Sequence, residues 1–367
     1  MRYMDLARDL ERRILEGEWR HGDAFVTVDR LRAQTGYARN TIVSGLKELA
    51  RRGYIKRGKS TRHGYTVVGT ATAPARDERR RDLRPVSVVL PFESWNYVAA
   101  RLLKALEEAC VRWDIRLVFQ SNGNDIEREG ALLRELASSG LDATRAVVLM
   151  TCQSIGHPHL DVLRDIQRRG TLVLLDRWIR GLDAHYVGAQ NRSIGYRAAR
   201  RLMDGGCESI AFAGGLTSIG TSYDRHVGCL TAVRDCGMRM SGANVARARR
   251  PQSLEEVKRV GREFAARLLD RATPPDGIVC GNDMVGAGVI EALRERKLKP
   301  GRDVLVTGCD NNRDLADASG VRFTTFEYPF EAIAGEIAFL LRRLRATPDL
   351  PTRQTEFAAA FVEGRTA

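Results

Sequence analysis

An α/β protein preceded by a small α+β domain is the fold class this 367-residue sequence predicts, and three observations predict it. From residue 86 onward, short apolar runs such as VSVVL, AVVLM and TLVLL alternate with helix-length stretches, the pattern of parallel strands covered on both faces. Before residue 70 the pattern is instead three helical segments followed by two short strands. Charge divides at the same place: residues 1–85 hold 20 Lys and Arg against 11 Asp and Glu, and the remainder holds 39 against 35. A basic small domain on a near-neutral large one points to a polyanionic partner for the small one.

Within the small domain, Leu6, Leu10 and Ile14 recur every four residues and give a first helix over 4–16 its inner face. HGD at 21–23 reads as a turn. Thr27 is placed to cap a second helix, VDRLRAQT, which Gly36 ends. A third helix begins near Ala38; Ile42, Leu46 and Leu49 line its inner face, while Asn40, Ser44, Lys47 and Arg51 face outward. YIKRG and GYTVVG form two strands around the tip KSTRH. Three helices and a β-hairpin make a winged helix-turn-helix over residues 1–69. Such a third helix enters the DNA major groove with its first turn, where Arg pairs with guanine and Asn with adenine. Arg39, Asn40 and Thr41 are the candidate base readers, and Lys47, Lys59 and Arg62 the candidate phosphate contacts. Residues 38–62 carry eight Lys and Arg and one acid, Glu48, a density suited to the phosphate backbone.

Residues 4–69 resemble the GntR family of bacterial transcription regulators. ILEGEWRHGD (14–23) is similar to that family's exit from helix one, and GYARNTIVSGLKELARRGYI (36–55) resembles its recognition helix, with Arg39 and Thr41 in the Arg-x-Thr seats. There are departures. The family's Pro-Ser-Glu-Arg-like opening of helix two is here Val26-Thr27-Val28-Asp29, so an acid stands where a DNA-contacting Arg is frequent. Ala38 replaces a capping Ser or Thr, a change worth up to about 1 kcal/mol, and Val43 replaces a frequent polar contact. A linker, TATAPARDERRRDLRP (70–85), follows without apolar periodicity. Arg79–Arg81 in it serve either as phosphate contacts or as a solubilising spacer.

The remainder, 86–367, is long for one sheet, and two α/β lobes are expected. Strands are expected at VSVVL, IRLVF, AVVLM, TLVLL, YVG, SIAFAG, GIVCG and DVLVTG, with helices over 96–112, 125–138, 160–169, 193–204, 224–236, 254–271 and 284–296. Ligands of such sheets bind beyond the carboxyl ends of the strands. Those ends carry Glu93, Trp95 and Asn96; Asp176, Arg177 and Trp178; Asn282 and Asp283; and Asp310. Arg225 opens a helix in SYDRHVG. Carboxylates and Asn take hydroxyls, Arg bridges several oxygens and Trp stacks on a sugar face, so a polyhydroxyl or another small polar ligand fits these residues. Asp283 could instead cap the helix at 284.

Residues 86–363 resemble the periplasmic-binding-protein-like ligand domain of the LacI/GalR family. VGAQNRSIGYRAARRLMDGGCESIAFAGG (187–215) is similar to the segment leading from one lobe to the other. PPDGIVCGNDMVGAGVIEALRERKLKPGRDVLVTGCDNN (274–312) is the strongest likeness, and FTTFEYPFEAIAGEIAFLLRRL (323–344) resembles the final crossover and dimer-facing helix. The resemblance implies that Asp176, Arg225, Asn282 and Asp310 line a ligand cleft with Tyr328 nearby. Gln190 departs from a frequent Asp, and Lys297 occupies a seat usually given to Gly after a helix. A GntR-like domain on a LacI-like ligand domain resembles the arabinose-responsive repressors of the AraR type. Together these imply a ligand-responsive regulator that represses through operator DNA, with a sugar or a non-sugar polar metabolite as effector. They also imply a homodimer built partly by helices near 98–112 and 329–344.

Other function classes find little support. GAGVIEA (286–292) lacks the third glycine of a dinucleotide fingerprint. His157-Pro158-His159 has no third metal ligand at a recognisable spacing and reads as a solvated turn. No enzyme activity and no cofactor are expected. No run of about 18 uncharged apolar residues exists, and the charged start MRYMDLARDLERRI has no apolar signal core, so a cytoplasmic protein is expected. Seven cysteines without CxxC spacing fit small buried side chains in a reducing compartment.

Overall fold

The computed structural model describes residues 2–15, 18–19, 23–51, 54–57, 64–67, 85–93, 96–139, 146–214, 218–238, 240, 253–346 and 350–367. The chain divides into two compact units, Met1–Asp82 and Leu83–Ala367. Lys59, Arg62, Trp95 and the linker 70–84 lie outside the described residues.

The small unit consists of α1 (Arg2–Leu15), α2 (Val28–Thr35), α3 (Arg39–Arg51), β1 (Ile55–Arg57) and β2 (Tyr65–Val67). Thr27 caps α2 by accepting from the Arg30 amide at 3.3 Å, and Gly36 ends it at φ 68°, a left-handed turn that glycine takes without strain. Leu6, Leu10, Ile14, Leu31, Ile42, Leu46 and Leu49 pack one core with Phe25, Tyr54, Ile55 and Val67. The hairpin is antiparallel, Lys56 opposite Thr66. It has a further partner that sequence patterning missed. Ala24 bridges Thr66, and the amides of Phe25 and Val67 bond the carbonyls of Tyr65 and Asp23, so the segment after the expected turn is extended.

The large unit has two lobes. The first holds a six-stranded parallel sheet in the order β12-β7-β6-β5-β3-β4: β3 (Val86–Leu90), β4 (Leu117–Ser121), β5 (Ala146–Leu149), β6 (Thr171–Leu175), β7 (His185–Ala189) and β12 (Gln354–Phe357). Successive residues serve opposite faces, which explains the unbroken apolar runs. Val88, Leu90 and Val148 pack with α4 (Tyr97–Val111) and α12 (Phe330–Ala346). Val89, Val147 and Leu149 pack with α5 (Ile126–Ser138) and α6 (Leu160–Arg169).

The second lobe is a three-stranded parallel sheet, β10-β9-β8, made of β8 (Ile210–Ala213), β9 (Gly277–Cys280) and β10 (Leu305–Thr307). The helices α7 (Asn191–Asp204), α8 (Gly220–Asp235), α9 (Leu254–Leu269) and α10 (Asp283–Glu295) surround it. A short α11 (Arg313–Ser319) and the antiparallel pair β11 (Thr325–Glu327) and β13 (Ala360–Val362) complete it; these three and β12 were not expected. Helices α7 and α8 touch backbone to backbone: a Cβ on Gly195 would lie 1.9 Å from the Arg225 carbonyl oxygen, and one on Gly228 equally close to that of Arg192. Lys297 takes the left-handed conformation, φ 59°, expected of a glycine seat.

Three chain passages join the lobes. One runs from β7 into α7 at 189–191, as expected for the segment 187–215. Another runs from β11 into α12 at 327–330. The 323–344 segment is not the final crossover, because β12 returns to the second lobe through 357–360 to form β13.

Candidate functional site

In a parallel sheet every strand delivers its carboxyl end to the same side. The two lobes meet across these ends in a cleft that is partly open to solvent. Asp176, Arg177, Arg225, Asn282 and Asp310 line it, and so do Asn96 and Asn124. The rest of its wall combines Thr221 and Ser222 with apolar side chains, Val98 and Met150 on one side and Val257, Val260, Met284 and Val285 on the other.

Arg225 is buried and held from two sides. Its Nε donates to Asn191 Oδ1 at 2.8 Å and its Nη1 to the Gly281 carbonyl at 2.6 Å. The guanidinium lies 5.5 Å from the centre of the Tyr328 ring and 3.7 Å from Asp310 Oδ1. Tyr328 in turn donates to Asp176 Oδ1. Asp176 at φ 64° and Asp310 at φ 110° both adopt the strained left-handed region, each as its strand ends. Asp310 Oδ1 and Arg177 Nε are buried and take part in no hydrogen bond among the described residues. Arg177 donates through Nη1 to the Thr151 carbonyl at 2.9 Å.

Burial sets the electrostatics. It pushes the Asp310 carboxyl up to about 6 against the opposing pull of Arg225. Asp283, behind Asp310, is pushed up to about 8 by burial and by its neighbour's charge. Asp176 is also raised by burial, with the Tyr328 hydroxyl opposing. Asp283 does not cap α10. Asn282 does, accepting from the Val285 amide at 2.9 Å, while Asp283 accepts from Thr325 Oγ1 and the Asn312 amide. The Asn282 side-chain oxygen therefore serves the helix as its cap.

Two expected ligand residues stand elsewhere. Glu93 is half-buried beside Gly123 and is not part of the cavity wall. Trp178 crosses to α8, where its Nε1 donates to Asp224 Oδ2 at 2.6 Å and its ring packs on Gly220. With the Ser154 and Ile155 amides bonded to the Ser218 carbonyl, and the Gly220 amide to Ser154 Oγ, it latches the first lobe to the second. The expected solvated turn at 157–159 is instead a buried support. His157 Nε2 lies 2.9 Å from Glu129 Oε1, both side chains fully buried, and Glu129 also accepts from Asn122, Thr151 and the Cys152 amide. Sequence spacing could not reveal it, because Glu129 and His157 meet only across two strand–helix units.

On the small unit, Arg39, Asn40 and Lys47 are exposed along α3 and Thr41 is half-buried. Arg39 lies 3.5 Å from Asp29 of α2, the acid noted above, and both side chains are exposed.

Residues 199–367 match the family described as a periplasmic binding protein-like domain. The large unit has a two-lobed, periplasmic-binding-protein-like fold. Solved structures similar to it include the regulator CcpA of Lactococcus lactis (TM-score 0.66, 20% identity, 77% of this chain and 98% of that one) and the CelR–cellobiose complex (TM-score 0.65, 18% identity, 94% and 100%). Among proteins, an arabinose metabolism transcriptional repressor of Halalkalibacterium halodurans is 22% identical over 339 residues, 89% of this chain and 85% of its own. The repressor PurR of Erwinia tasmaniensis is 27% identical over 276 residues, 72% and 75%. These two relatives are transcriptional repressors.

Proposed function

We propose that the chain represses transcription by binding operator DNA through a GntR-type winged helix, under control of a small effector held between its two lobes. The reading divides it into a DNA-binding domain (1–69), a linker (70–85) and an effector domain (86–367), acting as a homodimer in the cytoplasm. One observation carries the effector site: Arg225, Asp310, Asp176 and Tyr328 form a connected polar cluster where the lobes meet. Arg offers a fork of donors and Asp accepts from hydroxyls, which suits the vicinal oxygens of a sugar. The arabinose repressor relative and the cellobiose complex support a sugar. The aliphatic wall of Val257, Val260 and Met284 favours, as a second reading, a polar metabolite with an apolar portion.

A thermal-shift screen of pentoses, hexoses, their phosphates and alkyl glycosides tests both readings, since a ligand at 100 times its Kd stabilises by about 2.7 kcal/mol. With the effector found, Arg225→Lys should weaken it at least tenfold while leaving affinity for operator alone nearly unchanged. Unaltered effector affinity would remove Arg225 from the site.

A further inference from the structure

We propose that the face of the first lobe opposite the cleft, where its six strands begin, binds the phosphate backbone of duplex DNA. The proposal rests on the reading of the chain as a DNA-binding regulator. Because β3 to β7 and β12 are parallel, their amino ends share one face, and the helices running back over the sheet end there too. That face carries a row of arginines. Arg116 precedes β4, and its carbonyl accepts from Val86 at 2.8 Å; Arg168 and Arg169 close α6 just before β6; Arg353 precedes β12. Arg112 caps the end of α4, and Arg342, near the end of α12, lies 4.2 Å over the Trp113 ring beside it. Arg112, Arg116, Arg168, Arg169 and Arg342 are exposed. The row runs from one edge strand to the other, five strand spacings or about 24 Å.

Among the described residues, acids near the face are fewer than arginines: Asp114, Asp183, Glu108 and Glu135 in the last turns of α4 and α5, and Asp165, which pairs with Arg168 and Arg169 at 3.2 and 2.7 Å. Arginines at helix ends also complement the helix dipole, worth about 0.3–1 kcal/mol each. That accounts for Arg112, Arg168, Arg169 and Arg342 but not for Arg116 and Arg353, which stand at strand starts. The chain from the small unit enters the large one at this same face, at Val86. Residues 68–84 can span at most about 60 Å, so a duplex held by the small unit is tethered to the large one, at high local concentration. Counterion release then favours each added phosphate contact.

The test uses the full chain and a labelled 40-base-pair duplex of random sequence, with affinity measured by anisotropy between 50 and 200 mM potassium chloride. For Arg112→Gln/Arg116→Gln/Arg168→Gln/Arg169→Gln, binding should weaken at least tenfold at the lowest salt. The slope of log K against log salt should become shallower by about 0.9 per lost contact. Arg39→Ala should leave that slope nearly intact and lose sequence discrimination instead. An unchanged slope in the quadruple variant overturns the proposal and leaves the reading of the small unit standing; a wild-type chain that binds no duplex overturns both. Should the quadruple variant melt early, Arg116→Gln alone decides, since one contact is still read as a slope change. Loss of binding to phosphatidylglycerol vesicles with DNA binding intact would assign the face to a membrane surface and overturn the proposal.

Discussion

Asp310 and Asp283 are carboxyls that burial raises to about 6 and about 8. An unfolded Asp titrates near about 3.9, so between about pH 4 and 8 the folded state keeps a proton on Asp283 that the unfolded chain releases. The linkage sign follows: this contribution to stability is complete below about pH 4 and is lost as pH rises through 8. Urea midpoints should therefore fall from pH 5 to 8.5, and Asp283→Asn should flatten the decline. Effector binding should run the other way. Asp310 accepts hydroxyls best when ionised, so affinity should tighten from pH 5 to 7 and become pH-independent in Asp310→Asn, as measured by calorimetry. On the small unit, Asp29 lies 3.5 Å from Arg39, so under the proposed DNA-binding role it both steadies the Arg39 fork and repels phosphates. Asp29→Ala should raise affinity for random duplexes while lowering discrimination among them; a selection from random oligonucleotides reads both, and improved discrimination would refute the pairing role. The strand-end residues were legible in sequence because parallel topology sends every strand end to one place. Trp178 was not, because the left-handed turn at Asp176 re-aims the chain toward α8, and a residue's position after a strand does not encode that turn.

At the scale of elements, the segments with clean periodicity or caps were readable: α2 between Thr27 and Gly36, and the buried strands β3, β5 and β6. The short α11, β11, β12 and β13 were not, because three to seven residues with polar faces carry no period, and their partners lie far along the chain. The helices expected to join two protomers, α4 and α12, largely pack on each other and on their own sheet. Among the described residues, the exposed large apolar side chains of the large unit lie at the sheet edge, at the end of α4 and at Phe361 of β13, 38% exposed. Val118 and Phe119 of β4 are 45% and 38% exposed, and Val111 at the end of α4 is 71% exposed. An open edge strand with such residues favours pairing with another chain. Within the dimer reading, Phe119→Glu/Val118→Lys should convert dimer to monomer in sedimentation at micromolar concentration. A variant that stays dimeric would move the interface elsewhere.

For the whole molecule, the proposed function has effector and operator act on each other through one equilibrium, so each must change the other's affinity by the same factor. Trp178 gives the optical handle. Its indole bonds across the lobes to Asp224, and separating the lobes would strip that contact. Trp178 emission should shift on effector binding with the same apparent Kd as calorimetry, and Trp178→Phe should abolish the shift. An undiminished signal in that variant would place the reporting tryptophan elsewhere.

The three passages between lobes also set a timetable for making the protein. When the ribosome finishes β7, the first lobe still lacks α12 and the edge strand β12, which begin about 140 and about 165 residues further on. At roughly 5–20 residues per second, synthesis takes roughly 10–30 s to reach them. Through that interval the edge of β7 is open and the apolar face under α12 is bare. The second lobe waits longer still, because Thr366 and Ala367 bond Val306 and Thr324 to close its sheet. The first lobe therefore completes its sheet before the second, and each depends on chain made after the other has begun to form.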